Sequence, residues 1–224
     1  DVLNIHSKAA IAASVSGSTV VAKDGRSGNA LDTNWAQVGD TVDFYSSNLL
    51  KLGSAVITKI DNSTLTFDAL PDGVGTGTVL QNLSNTPTSV TISGTTVVRS
   101  RARAYLLQCP VASVTDCDVR DTALSAILIA PAICGWYEMG PTREVLIENC
   151  RFEGCGTRDH AAVAVRACHD SASLASVNSA LHGKVTVRGC AFVSCAVGIY
   201  ARRVEHLIIA SDCTYTSCYQ NSDL

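Results

Sequence analysis

The stretch Val185-Thr-Val-Arg-Gly-Cys-Ala-Phe-Val-Ser-Cys195 alternates apolar and polar residues, breaks at Gly189, and carries a cysteine after each of two short arms. The phrase occurs again as Leu146-Ile-Glu-Asn-Cys-Arg-Phe-Glu-Gly-Cys155. It is shorter at Val114-Thr-Asp-Cys-Asp-Val119 and looser at Ile208-Ile-Ala-Ser-Asp-Cys-Thr-Tyr-Thr-Ser-Cys218. Cys117, Cys150, Cys190 and Cys213 are separated by 33, 40 and 23 residues, and self-similarity on that scale marks a solenoid. Apolar positions at period 2, β-branched residues and intervening turn residues make each copy strand-like. The fold class read from this is all-β, a right-handed parallel β-helix whose equivalent strands stack about 4.8 Å apart.

The aligned copies place Cys117, Cys150, Cys190 and Cys213 in one column and Cys155, Cys195 and Cys218 in another. A disulfide framework belongs to small secreted chains without a core, whereas this chain is 46% apolar over 224 residues. A zinc site needs ligands converging tetrahedrally, and the sequence has no Cys-x-x-Cys pair. In-register stacking holds neighbouring Cβ vectors parallel, which suits disulfide geometry poorly. The cysteines are therefore expected to be free thiols acting as small core residues.

A net charge of −3 with dispersed basic residues, apart from Arg99, Arg101 and Arg103, implies no nucleic-acid partner. No stretch approaches the ~20 apolar residues of a membrane span. No signal peptide is visible, and a mature or trimmed chain would equally lack one. Over the first ninety residues, Ala36–Tyr45, Leu50–Ile60, Ser63–Ala69 and Gly77–Leu83 read as short strands between turns such as Asp61-Asn62 and Pro71-Asp72-Gly73. Short strands at such spacing argue for a small antiparallel barrel or sandwich. The expected division is a strand at 1–8 carrying a site motif, a barrel-like module at 9–88, and β-helix coils at 89–224. The one helix candidate is short, around Ser171–Leu181.

A bare coil takes about 23 residues, judged from Cys190 to Cys213. The longer spacings therefore place extra residues in two loops, Pro131–Thr142 and Arg166–Gly183. Both come after the same type of strand, so they should leave one edge of the stack and wall one groove with residues 1–6. Long loops on a rigid scaffold are where binding residues concentrate. The first contains Trp136, Tyr137 and Glu138 in a chain with two tryptophans. An aromatic face beside a carboxylate suits a sugar ring, although Trp136 could equally plug the coil.

These segments resemble glycoside hydrolase family 110, bacterial exo-acting α-galactosidases that include α-1,3-galactosidases removing the terminal galactose of the blood-group B antigen. The resemblance is carried by Arg101-Ala-Arg-Ala-Tyr-Leu-Leu-Gln108, Ser125-Ala-Ile-Leu-Ile129, Trp136-Tyr-Glu-Met-Gly-Pro141 and Val145-Leu-Ile-Glu-Asn-Cys-Arg-Phe152. Asp1-Val-Leu-Asn-Ile-His6 resembles the family's double-aspartate signature, entered at its second aspartate, and Gly39-Asp-Thr-Val-Asp-Phe44 resembles its inserted barrel. The chain departs from the pattern at Pro131–Gly135 and at Met139, where a serine is usual. The resemblance implies the C-terminal portion of a larger, secreted or periplasmic enzyme. Its partners would be a galactose-terminated glycan and the N-terminal half of the parent β-helix, with no cofactor.

It further implies inversion, which needs one carboxylic acid to protonate the leaving oxygen and a second carboxylate to activate water. Asp1 and Glu138 are the expected catalytic pair, with Asn4, His6, Arg103 and Trp136 as substrate contacts and no metal. His6 could instead be a buried, satisfied histidine, Glu138 an ion-pair partner of Arg103 or Arg143, and Arg103 part of a solvated basic face. Arg101 and Arg103 are expected on one face of a strand. Asp159-His160 and His169-Asp170 fall in loops where such residues are common. The alternative function is a non-catalytic glycan-binding or structural β-helix of the tail-spike or adhesin type.

Overall fold

The computed structural model describes residues 1–140, 142–156, 160–167 and 179–224. Most of the expected helix at Ser171–Leu181 lies outside the described residues, which form strands and connections only. Among them, no helix is long and apolar enough to cross a membrane.

Strand β1 (Leu3–Ile5) leads at once into an antiparallel barrel. Its strands are β2 (Ser7–Ser16), β3 (Thr19–Asp24), β4 (Thr41–Tyr45), β5 (Lys51–Asp61), β6 (Thr64–Phe67) and β7 (Val79–Asn82). The order β2-β3-β6-β5-β4-β7 closes through pairing of β7 with β2. Closure removes the exposed edges an open sheet would leave. The interior is apolar, centred on Val20, Phe44, Ile57, Leu65, Phe67 and Leu80. Sequence patterning missed the β2–β3 hairpin and overextended β4, because Ala36 is buried outside any strand.

Beyond the barrel the chain visits three parallel sheets in a fixed order. The first passes are β8 (Ser89–Ser93), β9 (Thr96–Val98) and β10 (Tyr105–Leu107), then β11 (Val111–Thr115), β12 (Asp118–Arg120) and β13 (Ile127–Ile129). After a two-residue strand β14 (Glu138–Met139) come β15 (Glu144–Glu148), β16 (Arg151–Glu153) and β17 (Ala161–Val165). The last passes are β18 (His182–Arg188), β19 (Ala191–Val193) and β20 (Val197–Ala201), then β21 (Val204–Ile209), β22 (Thr214–Thr216) and β23 (Gln220–Asp223). The sheets run β8-β11-β15-β18-β21, β9-β12-β16-β19-β22, and β1-β10-β13-β17-β20-β23. Strand β1 thus pairs with β10 from the far side of the barrel, Asn4 opposite Leu106.

Two corners per pass turn on left-handed residues. Gly94, Asp116, Asn149 and Gly189 hold φ of 62°, 55°, 53° and 59° at the first corner. These are the residue types that tolerate that conformation. The amide at the first three corners donates to a carbonyl of the next pass, as Asn149 N–H does to Arg188 O at 3.1 Å. The last pass has one residue more at this corner, and there the Asp212 carboxylate replaces the carbonyl, accepting from Gly189 N–H at 2.8 Å.

Inward residues stack in register. Val119, Phe152, Phe192 and Tyr215 form one ladder, with ring centroids 5.3 Å apart between the two phenylalanines and 5.0 Å between Phe192 and Tyr215. Both cysteine columns exist, and each thiol lies against a carbonyl of the preceding pass. Examples are Cys150 Sγ to Val114 O at 3.5 Å and Cys155 Sγ to Val119 O at 3.3 Å. Cys109, Cys117, Cys150, Cys155, Cys190, Cys195, Cys213 and Cys218 are free thiols, whereas Cys134 is disulfide-bonded. Cys134 lies in a loop outside the stacked columns, so the geometric penalty of parallel Cβ vectors does not apply to it.

Candidate functional site

The floor of the site is the outward face of the six-stranded sheet. Leu3 and Ile5 pack toward the core while Asn4 points outward, in register with Leu106 and then Leu128. A cavity of about 410 Å³ stands over this row, lined by Asp1, Asn4, Arg101, Arg103, Trp136 and Glu138 above Leu106 and Leu128. Arg101 and Arg103 are not on a strand as expected. They lie in the turn before β10, and both line the cavity because that turn folds over its rim.

The Pro131–Thr142 loop does not simply project. Tyr137 takes a left-handed φ of 53°, reversing the chain so that Ala132 N–H bonds Glu138 O at 2.7 Å and Ala9 N–H bonds Tyr137 O at 2.7 Å. Strand β14 then joins β2, with Glu138 opposite Lys8 and Met139 opposite Ser7. Two glycines make room for this seating. A Cβ on Gly25 would lie 2.2 Å from the Tyr137 ring, and one on Gly140 would lie 1.8 Å from Gln108 O. Met139 is fully buried in the seam between barrel and stack. Glu138 therefore faces the cavity from a strand anchored to the barrel, a position set by residues about 130 apart in sequence.

Asp1 and Glu138 have separate partners. Asp1 Oδ1 accepts from the Arg103 guanidinium and from the Arg103 amide, both at 3.3 Å. Glu138 accepts from Asn4 Nδ2 at 3.3 Å and lies 3.6 Å from His6 Nε2. Neither Arg103 nor Arg143 takes that place in these contacts. The His6 Nδ1 atom is buried without a hydrogen-bond partner, so His6 is not the satisfied core histidine that was the alternative. Trp136 is 50% exposed and carries the Arg26 guanidinium 4.0 Å from its ring centroid. Trp35 is the buried tryptophan, donating from Nε1 to Lys8 O at 2.8 Å. Among the described residues, no three His, Cys, Asp or Glu side chains converge as a metal site would require.

The second loop behaves differently. Residues 168–178, including His169 and Asp170, lie outside the described residues, as does Asp159. The adjoining Leu181, His182 and Gly183 line a separate cavity of about 310 Å³ against Asp43, Tyr45 and Lys51 of the barrel. Gly140 and Thr142, at the end of the first loop, line this cavity too, whereas residues 1–6 do not, so among the described residues the second loop shares a wall with the first but not with the strand at 1–8. His182 accepts at Nδ1 from the Thr142 hydroxyl (2.8 Å) and donates from Nε2 to Arg166 O (3.0 Å). Burial, aided by the Arg203 charge, holds its imidazole down at about 4. Arg203 ties the barrel to the stack through Asn48 O at 3.0 Å and Leu49 O at 2.8 Å. Signals for Arg26, Lys8 and Asp24 near the site were absent from the sequence, since only barrel closure brings them to residue 136.

No family model matches the chain. It is similar to alpha-1,3-galactosidase B of Bacteroides thetaiotaomicron, 39% identical over 83 residues, which is 37% of this chain and 13% of that protein. It is also similar to alpha-1,3-galactosidase B of Parabacteroides distasonis, 31% identical over 137 residues, or 53% of this chain and 22% of that one. Alpha-1,3-galactosidase B of Phocaeicola vulgatus is 30% identical over 142 residues, covering 56% and 24% respectively. The chain thus spans less than a quarter of the length of these curated relatives.

Proposed function

We propose that this chain is part of an α-galactosidase-type glycoside hydrolase and that the cavity over β1, β10 and β13 receives terminal α-linked galactose. The observation that carries the reading is the convergence of two carboxylates, Asp1 and Glu138, on one cavity with an amide, two guanidinium groups and an exposed indole. Galactose presents an apolar C–H face suited to Trp136 and hydroxyls suited to Asn4, Arg101 and Arg103. The relatives' names supply the sugar and the reaction class. The three-sheet stack is read as a right-handed parallel β-helix, the hand that parallel crossovers almost always take. Residues 9–88 are read as a barrel inserted between the strand at 1–8 and the coils at 89–224, and the parallel pairing of β1 with β10 supports that division.

The chemistry is a single displacement with inversion. One carboxylic acid gives its proton to the glycosidic oxygen as the C1–O bond breaks, and the other carboxylate takes a proton from the water attacking C1 on the opposite face. Both carboxyl groups end with protonation states exchanged, and solvent restores them. Activity is proposed for the longer protein that contains this chain. The test is hydrolysis of an α-galactoside by that protein, monitored by NMR, with β-galactose expected as the first anomer. Release of α-galactose first excludes inversion. Absence of hydrolysis, together with binding of galactose-terminated glycans, selects the non-catalytic glycan-binding reading.

A further inference from the structure

Trp136 and Glu138 line two cavities. The second, about 550 Å³, has the barrel as its other wall, contributed by His6, Lys8, Asp24, Arg26, Asn29 and Asp32. None of these except His6 belongs to the galactose cavity's expected contacts. The lining mixes two cations, Lys8 and Arg26, with three anions, Asp24, Asp32 and Glu138. A surface with donors and acceptors of both signs fits a neutral, hydroxyl-rich ligand better than a phosphate or a carboxylate sugar. The Arg26 guanidinium covers one face of the Trp136 indole at 4.0 Å. Among the described residues Arg26 forms no ion pair, so its N–H donors are not committed to a carboxylate. His6, whose Nε2 lies 3.6 Å from Glu138, lines the same cavity.

We propose that this second cavity is the subsite for the sugar on the leaving-group side of the scissile bond. Arg26 and Trp136 are its specificity-determining contacts, and Glu138, on the wall shared by both cavities, is the acid that protonates the leaving oxygen. Assigning the two cavities to the two sides of the bond rests on the hydrolase reading above. The barrel then selects the sugar to which the terminal galactose is joined, while the stack holds the galactose itself.

The test compares two substrates with the longer protein containing this chain. In α-galactosyl fluoride the leaving group is one atom and cannot reach Arg26; in α-1,3-linked galactobiose a whole sugar leaves. Arg26 is exposed, so Arg26→Ala is expected to fold. It should lower kcat/KM on galactobiose by about tenfold, the scale of one lost charged hydrogen bond, chiefly through KM. On the fluoride it should change kcat/KM by less than about twofold, since no contact is lost. Glu138→Gln should likewise lose far more on galactobiose than on the fluoride, whose departure needs little acid help. Equal losses on both substrates, or none on either, overturn the assignment. Should the wild type cleave neither substrate, the hydrolase reading fails, and binding still decides the subsite. Trp136 lines both cavities, so its fluorescence reports sugar in either one, and dependence on Arg26, which lines only the second, assigns the signal to this cavity. Quenching by galactobiose that weakens in Arg26→Ala supports a sugar subsite, and no quenching, or quenching indifferent to Arg26, refutes it.

Discussion

Strands β15 and β13 belong to the same stack and are sequence neighbours in it, yet their outward faces differ. In β15 burial alternates, with Val145 and Ile147 buried and Leu146 only half-buried between them. In β13 Ile127, Leu128 and Ile129 are all buried, and β10 and β17 share that pattern. Inward positions are equivalent in the two sheets. The outward face of one meets solvent, and that of the other lies beneath the loop anchored to the barrel. A binding cavity forms where a rigid apolar sheet is covered by polar groups from elsewhere in the chain, so the covered sheet carries the candidate site.

The largest effect is expected where the cover supplies chemistry. Glu138→Gln should lower kcat on a natural α-galactoside by ~10²–10⁴-fold, the usual worth of a positioned acid, while circular dichroism and melting remain those of the wild type. An undiminished rate would remove Glu138 from the mechanism.

The covered and open faces can then be compared at a single residue type. Leu128→Ala, on the covered side, should cost about 2–5 kcal/mol, the range for emptying a buried leucine site. Leu146→Ala, outward in β15, should cost roughly 1 kcal/mol or less because solvent already reaches it. Urea denaturation measures both, and similar values for the two would erase the distinction between the sheets.

His182 sits at the boundary between these regions, bonded to Thr142 and Arg166, which flank β15 and β17. Its folded-state value of about 4 lies below the ordinary 6.5, so the unfolded chain binds the proton more readily. Its contribution to stability is complete above about pH 6.5 and is lost as pH falls from there toward 4. The shift corresponds to about 3 kcal/mol. Denaturation curves between pH 7 and 4 should show a shallower decline for His182→Gln than for the wild type, and parallel curves would refute a neutral buried imidazole. A smaller effect belongs to the thiol columns. Cys150→Ala should cost only about 1 kcal/mol, the worth of one small buried group, as read from the denaturation midpoint, since the thiol acts as packing.

Much of this was legible in the sequence, for physical reasons that differ from residue to residue. The Cys150 and Phe152 positions repeat because each pass presents an apolar side chain inward at the same height, where it packs on its neighbour in register. The Pro131–Thr142 excess was countable because a bare pass has a nearly fixed length. The β2 strand escaped notice, since Ala9, Ala10, Ala12 and Ala13 have weak strand preference and are held there by pairing with β3 and β7. The disulfide at Cys134 also escaped, because the repeat that explains the seven column cysteines does not include it.

The sequence by itself determined the stacked parallel strands and the two thiol columns. Each depends on residues within one pass or at equivalent places in the next, and periodicity records both. Tertiary structure alone decided that Glu138 would meet Asn4, that Arg26 would lie on Trp136, and that one sheet would be covered while its neighbours stayed open. Those contacts join residues more than a hundred positions apart through closure of the barrel onto the stack. No local pattern encodes them, because the free energy that selects them comes from burying the barrel–stack seam around Met139, Leu49 and Ile133, surfaces that face each other only once both parts have folded.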